Sequence, residues 1–219
     1  MYKYKLLNNH YVVEIDDKHY ILDTGYPYSV TFRNDLNMVK VNGRFHALTP
    51  PGYRFNIKKT HQLVGYPVDG LIGLDVFGDS GFTIYKDNEE GGRIDFASKD
   101  IDGITCPIVA MQIAPVINVN NNKYYLVDTG ARYAYGNKSV FTGLTPYDVV
   151  NDYNPTLGDL RSPIYHTEIE IKGKRCPLDV CDNSNVTSMI PSIYIVGNIT
   201  TLFDKECCVN YQKREIILN

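Results

Sequence analysis

Hydrophobic and polar residues alternate along most of this chain in short runs. Alternation with a period of two is typical of half-buried β-strands, whereas a helix repeats its apolar positions every three to four residues. Gly, Asn, Asp and Pro separate the runs at spacings that suit tight turns. The pattern therefore predicts an all-β protein with few short helices.

One stretch of this pattern occurs twice. Residues 11–22 predict a hairpin of two apolar strands around a polar turn, and residues 116–127 repeat it around an Asn-rich turn at 120–123. Each hairpin leads directly into the triplet Asp-Thr-Gly, and the two triplets lie 105 positions apart. This interval is close to half of the 219 residues, so the pair indicates a duplicated unit.

The paired triplets are unusual in a chain of this length. A single Asp-Thr-Gly is expected by chance about once in twenty such chains, and one copy is explained by a strand ending in a tight turn. Two copies behind matching apolar runs predict two equivalent carboxylates, one from each half, that meet near an axis. Carboxylates that close share a proton, so one serves as base and the other as acid.

The duplicated triplet resembles the aspartic peptidases, whose two-lobed pepsin-like members carry one Asp-Thr/Ser-Gly in each lobe. A second resemblance is an apolar pair followed by Gly downstream of each triplet, within Asp69–Leu74 and Ile193–Asn198. In the family these segments thread beside the Asp loops and hold them. The chain is short for a pepsin-like protein and close to two fused retroviral-type subunits in length.

The resemblance implies two pseudo-twofold-related lobes, each like a β-barrel. A polar segment without periodicity, Ala97–Pro107, marks the boundary between them. We therefore assign residues 1–99 to the first lobe and residues 100–219 to the second. The interval from Asp to the apolar-Gly segment is longer in the second half, which predicts extra material within Thr142–Arg161.

The resemblance also implies the site residues. Asp23 and Asp128 would be catalytic and would hold one water between them. Pepsin-like enzymes usually have Ser or Thr after the triplet, whereas this chain has Tyr26 and Ala131. The residues expected to support the catalytic loops are Thr24, Gly25, Thr129, Gly130, Gly73 and Gly197. The resemblance implies that the two threonines hydrogen-bond across the axis to the opposite loop.

The family also places a hairpin flap over the cleft. Arg44–Leu48 and Tyr53–Ile57 flank a Pro-Pro-Gly turn, which predicts two strands joined by a stiff turn. Tyr53 is the candidate substrate-binding residue of this flap, because pepsin-like flaps carry a Tyr near the tip. An ordinary surface hairpin would explain the same pattern.

Composition adds mostly exclusions. The formal net charge is −3 and no basic stripe is present, so we expect no nucleic-acid partner. No apolar stretch reaches the ~18 residues of a membrane helix, and no signal peptide is evident, so we expect no membrane partner and a cytoplasmic location, with export left open. An odd count of five Cys favours reduced thiols, although Cys176 and Cys181 could bridge across a hairpin in an exported protein.

The sequence thus predicts an aspartic endopeptidase that acts on a peptide or protein substrate without a cofactor. No His spacing supports a metal site. Both Asp loops lie in one chain, which favours a monomer. The alternative is a catalytically inactive peptide-binding or scaffold protein on the same fold; a plain structural β-domain would leave the duplication unexplained.

Overall fold

Strands dominate the architecture. The structure, a computed structural model, describes residues 1–53, 55–77, 80–111, 114–119 and 123–219. Strands make up 50% of it and helices 9%. The expectation of an all-β chain with few short helices is confirmed.

The described elements are numbered along the chain. The strands are β1 (Tyr2–Leu7), β2 (His10–Ile15), β3 (Lys18–Leu22), β4 (Val30–Thr31), β5 (Met38–Val41), β6 (Arg44–Ala47), β7 (Gly70–Ile72), β8 (Phe82–Asn88), β9 (Gly91–Asp95), β10 (Ile104–Met111), β11 (Pro115–Val119), β12 (Lys123–Val127), β13 (Ala134–Gly136), β14 (Asp148–Asn154), β15 (Gly158–Ile171), β16 (Lys174–Asp182), β17 (Ile195–Gly197), β18 (Glu206–Asn210) and β19 (Glu215–Leu218). The helices are α1 (Ile57–Val64), α2 (Leu74–Phe77) and α3 (Ser184–Thr187), with a 3-10 turn at Lys138–Phe141. None of these described helices has the length and apolar character that crossing a membrane requires.

Both predicted hairpins before the triplets are present. Strands β2 and β3 pair antiparallel, with Val13 opposite Tyr20. Strands β11 and β12 pair in the same way, with Val116 opposite Leu126. Residues 120–122, within the expected turn of the second hairpin, lie outside the described residues.

A parallel partner lies beside each strand that enters an Asp loop. Strand β3 pairs parallel with β7, and β12 pairs parallel with β17. On its other side β7 pairs antiparallel with β4, and β17 pairs antiparallel with β13. The apolar-Gly segments are therefore inserted between the strands before and after each Asp loop, which explains why Leu71, Ile72, Ile195 and Val196 are apolar and buried.

Strands from both halves of the chain share one antiparallel sheet. The neighbours run in the order β1, β9, β8, β18, β19, β10. The lobe boundary placed between residues 99 and 100 falls in the connection between β9 and β10. Buried side chains of the sheet, such as Phe82, Ile84 and Val209, belong to one hydrophobic core that includes residues of both halves.

The hairpin predicted from Arg44–Leu48 and Tyr53–Ile57 is wrong. Strand β6 pairs instead with β5, around Asn42 and Gly43, whose φ angles of 48° and 80° suit a tight two-residue hairpin turn.

Beyond this hairpin the chain turns rather than forming a strand, and it then enters a helix. The Phe55 amide donates to the Gly52 carbonyl at 2.8 Å. The Asn56 side chain then accepts from the Lys59 amide at 3.1 Å and caps the start of α1. Arg54, within the predicted second strand, lies outside the described residues. The local turn and the helix cap therefore determine the structure after Pro-Pro-Gly more strongly than the apolar alternation does.

A long hairpin occupies much of the segment in which extra material was expected. Strand β14 pairs with the first part of β15, from Asp148 opposite Ile164 to Asn154 opposite Gly158. We call this element the 148–164 hairpin. The rest of β15 pairs with β16. Between the first Asp loop and β7, the hairpin among the described residues is the shorter β5–β6 pair.

A bridge between Cys176 and Cys181 is excluded by their places on a single strand. Both lie on β16 and are buried. Five residues of extended strand span about 16 Å, whereas bridged cysteines have Cα atoms less than about 7 Å apart. The hairpin turn needed between them is instead at residues 172–173, outside the pair.

Candidate active site

The two Asp-Thr-Gly loops meet face to face. A Cβ atom placed on Gly25 would lie 2.6 Å from Cγ of Asp128, and one placed on Gly130 would meet Cγ of Asp23 even more closely. The two carboxyl groups are near enough for the charge of Asp128 to act on Asp23. Each glycine therefore leaves the space in which the carboxyl group of the opposite loop lies.

Each loop also orients its own carboxyl group. The Gly25 amide donates to Oδ1 of Asp23 at 2.9 Å, and the Gly130 amide donates to Oδ1 of Asp128 at 3.0 Å. These bonds fix one oxygen of each carboxyl group in advance. The other oxygen of each carboxyl group, Oδ2, remains available for the opposite carboxyl group or for a water.

The two threonines form the cross-loop hydrogen bonds that the sequence predicted. Thr24 Oγ1 donates to the Val127 carbonyl at 2.9 Å and accepts from the Thr129 amide at 3.0 Å. Reciprocally, Thr129 Oγ1 donates to the Leu22 carbonyl at 2.9 Å and accepts from the Thr24 amide at 2.9 Å. Both threonines are fully buried, so these four bonds join the loops without competition from water.

The environment favours protonation of the acidic pair. Burial raises the pKa of Asp23 well above its usual value, and the nearby charge of Asp128 raises it further. Burial also raises the pKa of Asp128, against the lowering effect of the Gly130 amide. Both residues keep partial exposure, so a water or a substrate can reach them. The pair therefore retains one shared proton to a higher pH than an isolated carboxyl group does.

Each apolar-Gly segment hydrogen-bonds to the Asp of its loop. The position of this bond relative to the glycine of the segment differs by one residue between the two halves. The Asp23 amide donates to the Ile72 carbonyl at 2.9 Å, whereas the Asp128 amide donates to the Gly197 carbonyl at 2.8 Å. The counterpart of Gly197 is therefore Ile72, not Gly73. Interpreting the two glycines as equivalent supports was wrong, because their strands pair one position apart.

Each glycine nevertheless permits a close contact of its own. A Cβ on Gly73 would lie 2.7 Å from the carbonyl oxygen of Tyr26, just after the first triplet. A Cβ on Gly197 would lie 2.8 Å from Cβ of Ala134. Both positions therefore support the loops through close packing, as only a residue without a side chain allows.

Sequence reasoning missed three polar residues that hold the loops. Ser29 Oγ accepts from the Gly73 amide at 3.0 Å and donates to Asp75 Oδ1 at 2.7 Å. In the second half Asn198 Nδ2 donates to the carbonyls of Thr129 at 3.1 Å and Ala131 at 3.3 Å. The signal available in the sequence was the residue after each glycine. Gly73 is followed by the apolar Leu74, whereas Gly197 is followed by the polar Asn198.

Tyr53 lies on a turn rather than on a hairpin strand. Its side chain is 92% exposed. It lines a cavity of about 650 Å³ together with the tip of the 148–164 hairpin, at residues 155–158. Its assignment as a substrate-binding residue remains a prediction.

The 148–164 hairpin extends from the surroundings of one Asp loop to those of the other. Along its β14 strand, the Tyr135 hydroxyl donates to Asp152 Oδ2 at 2.6 Å, and Tyr135 follows the second triplet on β13. At its tip, Asp159 forms an ion pair with Lys59, and the Tyr153 hydroxyl accepts from the Asn56 amide at 2.9 Å.

The tip therefore contacts the first half close to its Asp loop. The ring of Phe55, next to Asn56, packs edge-on against Tyr26 at 6.4 Å between centroids, and Tyr26 directly follows the first triplet. A strand pair anchored beside the second loop thus reaches residues that pack beside the first.

Replacing Gly25 with Ala is expected to displace the Asp128 carboxyl group and to reduce any turnover that needs both acids at least about 100-fold, because positioning errors near 1 Å cost that much. The new methyl group would overlap Asp128 Cγ at 2.6 Å. Gly52→Ala is the matched control, because a Cβ there meets no atom within 4 Å. Equal turnover by Gly25→Ala and Gly52→Ala would contradict the close approach of the two loops.

Comparisons with known proteins add no assignment. No protein-family model matches the sequence, and no curated protein matches it. A functional proposal must therefore rest on the residues of this chain and on their geometry.

Proposed function

We propose that this chain is an aspartic endopeptidase with two pseudo-twofold-related lobes that hydrolyses peptide bonds through Asp23 and Asp128. One observation carries the proposal: two identical Asp-Thr-Gly triplets place each carboxyl group against the glycine of the opposite loop, so the two acids lie close together. Reciprocal threonine bonds hold the pair in this geometry. A structural role alone does not call for two neighbouring, largely desolvated acids, since each raises the cost of ionising the other.

The pair supplies one base and one acid. In the proposed mechanism, the ionised carboxyl group takes a proton from a water held between Asp23 and Asp128. The water oxygen then bonds to the scissile carbonyl carbon, while the protonated carboxyl group donates to the carbonyl oxygen. Collapse of this tetrahedral species breaks the carbon–nitrogen bond, and the leaving amine receives the proton that was taken from the water. One hydroxyl group of the tetrahedral species returns its proton to the carboxylate that had donated to the carbonyl oxygen, which restores the pair. No bond to the protein forms at any step.

The proposed substrate is an extended peptide lying between the Asp loops and the 148–164 hairpin. An extended chain can add main-chain hydrogen bonds to an adjacent strand pair, which gives affinity without demanding one side-chain sequence. Closure of the hairpin would also limit the access of water to the reacting bond. The flap role that the sequence had assigned to residues near Tyr53 is thus proposed for a hairpin of the second half.

A direct test is hydrolysis of an unbiased peptide mixture over a range of pH, with new termini identified by mass spectrometry. Cleavage should be inhibited by a peptide in which a hydroxyl-bearing tetrahedral carbon replaces the scissile carbonyl, since it mimics the transition state. A metal chelator should have no effect. Binding of the mimic without any cleavage would favour the alternative of an inactive peptide-binding protein, and neither binding nor cleavage would contradict both.

Reversing one charge between the hairpin tip and α1 should weaken peptide turnover, and reversing both should restore it. Lys59→Glu or Asp159→Lys turns the observed ion pair into a like-charge contact. An exposed pair is worth up to about 1 kcal/mol, so each single variant should lose about fivefold in kcat/KM. The double variant, Lys59→Glu with Asp159→Lys, is the control for the contact itself. Equal losses in all three variants would argue that the tip contact plays no part in substrate binding.

A further inference from the structure

A second cavity opens directly beside the second Asp loop. Its volume is about 710 Å³, and it lies between residues that follow the second triplet and the base of the 148–164 hairpin. Arg132 and Tyr133 line one side, Asp148 lines the hairpin side, and Asn9 from the first half closes one end. The cavity is thus lined by the residues that directly follow the loop carrying Asp128.

Arg132 is a cation of this cavity that forms no ion pair among the described residues. Its charge acts on Asp152 only at longer range, where it opposes the rise in the pKa of Asp152 that burial causes. Its guanidinium lies over the ring of Tyr133, 4.9 Å from the centroid, and no ion pair among the described residues includes it. Its side chain is half-buried, so its charge is less screened than that of a fully exposed residue. A half-buried guanidinium with no carboxylate within ion-pair distance favours binding of an anion that a ligand carries.

The acidic residues that line the cavity are already engaged. Asp179 Oδ1 contacts Nδ1 of His166 at 2.6 Å, and Asp148 Oδ1 accepts from the Val149 amide at 2.7 Å. Neither carboxylate is within ion-pair distance of Arg132 among the described contacts. Their negative charges surround the cavity without neutralising its arginine.

The backbone around Arg132 is fixed before any ligand arrives. Asn9 Nδ2 donates to the Arg132 carbonyl at 3.1 Å. Asn198 Nδ2 donates to the Asn9 carbonyl at 2.6 Å and to the Ala131 carbonyl at 3.3 Å. Two asparagines thereby join the first-half turn to the second Asp loop. A rigid setting of this kind reduces the entropy lost when a ligand binds.

Position along the chain limits where a bound group would lie on a substrate. Arg132 comes four residues after Asp128, and four residues span at most about 14 Å of backbone. An extended peptide advances about 3.3 Å per residue, so the cavity faces positions within about four residues of the scissile bond. The equivalent position after the first triplet is Pro27, which carries no charge, so only one side of the site has this feature.

We propose that this cavity is a specificity subsite in which Arg132 binds a carboxylate of the substrate peptide, within about four residues of the cleaved bond and on one side of it. The inference rests on the proposed peptidase function for its meaning in catalysis, but it concerns peptide recognition and can be tested separately. The carboxylate is either an Asp or Glu side chain or the C-terminal carboxylate of a short peptide. A planar guanidinium can bind either one through two parallel hydrogen bonds.

The experiment compares matched peptides in two assays. One assay measures kcat/KM for peptides that differ only by Glu or Gln at single positions flanking the cleaved bond, each with a free or an amidated C-terminus. The other measures binding of the same labelled peptides to the Asp23→Asn protein, which needs no turnover. We expect one flanking position, on one side only, to favour Glu over Gln by about tenfold, which is typical of a hydrogen-bonded charge. A preference that is lost on amidation would assign the C-terminal carboxylate instead.

Variants of Arg132 distinguish binding in the subsite from attraction by the overall charge of the protein. Arg132→Gln should bring the preference for Glu close to one, and Arg132→Glu should invert it in favour of Lys at the same position. Arg175→Gln removes the same charge from an exposed site whose nearest acid is Glu168, and it should retain the preference.

The outcomes are distinguishable. Turnover with no preference for a carboxylate at any position, or a preference that Arg132→Gln leaves unchanged, would overturn the subsite and leave the peptidase proposal standing. Binding that favours the carboxylate and depends on Arg132, without turnover, would support the subsite and overturn the proposed activity. Neither binding nor turnover would overturn both.

Discussion

Replacing either Asp23 or Asp128 with Asn is expected to reduce peptide hydrolysis at least about 1000-fold, because one member of the acid–base pair is lost and proton transfer contributes on that scale. The fold should persist. An Asn oxygen can still accept from the loop amide that now donates to the Asp, and its amide group can donate to the remaining carboxylate.

The same substitutions should stabilise the protein near neutral pH. The pKa values of both carboxyl groups are raised in the folded protein, so the folded state holds a proton that the unfolded chain releases near pH 4. Wild-type stability therefore falls as the pH rises from about 4 through the raised pKa of the pair. An Asn at position 23 removes the contribution of Asp23 to this dependence, so the melting temperature of the variant should exceed that of the wild type by a few degrees at neutral pH and converge with it at low pH.

Turnover and thermal melting between pH 3 and 8 test both parts. Asp102→Asn is the matched control, because it removes one charge at an exposed position between β9 and β10. Full activity in either Asp variant would sink the assignment of the dyad. Loss of activity together with loss of folding at every pH would instead show that the acids are needed to build the loops.

The second large effect is expected from the buried threonines. Thr24→Val keeps the shape of the side chain but removes the hydroxyl, leaving the Thr129 amide and the Val127 carbonyl without their partner. Each unpaired buried group costs about 1–3 kcal/mol, so the variant should lose about 2–6 kcal/mol of unfolding free energy. In a chain of this length, that loss lowers the melting temperature by roughly 5–20 °C.

Turnover should fall with stability in Thr24→Val, since the bonds that hold the two loops in register are broken. Thr24→Ser retains the hydroxyl and is the matched control; we expect it to remain close to wild type in both measurements. Thr129→Val should reproduce the effect, because its bonds mirror those of Thr24. A Val variant that melts and turns over like the Ser variant would show that packing alone joins the loops.

Much of the site was predictable from the sequence because the Asp-Thr-Gly triplets are identical and each follows a similar apolar strand. Two copies of an apolar strand ending in Asp-Thr-Gly predicted both hairpins and the cross-loop threonine bonds. The register of the apolar-Gly segments was not predictable, since shifting a short parallel strand by one residue leaves its apolar composition unchanged. Gly73 and Gly197 therefore looked equivalent in the sequence although Ile72 is the counterpart of Gly197.

The misplaced flap has a different cause. Apolar alternation around Pro-Pro-Gly predicted strands on both sides of the turn. In the structure, however, β6 pairs with β5 across the Asn42–Gly43 turn. The following segment begins a helix, which Asn56 caps. Conversely, the 148–164 hairpin is rich in Asn and Asp, which sequence reasoning reads as loop. Its strands are held by pairing with each other and by Tyr135, a tertiary contact that no local pattern reveals.

The shared sheet has a consequence for synthesis on the ribosome. Strand β8 of the first half pairs with β18, whose first residue emerges about 120 residues later, or about 6–24 seconds at 5–20 residues per second. Until then the edge of β8, with the apolar Phe82 and Ile84, has no partner on that side. An unpaired apolar edge can pair with another nascent chain. We therefore expect translation speed and chaperone supply to govern the yield of this protein more strongly than its final stability does.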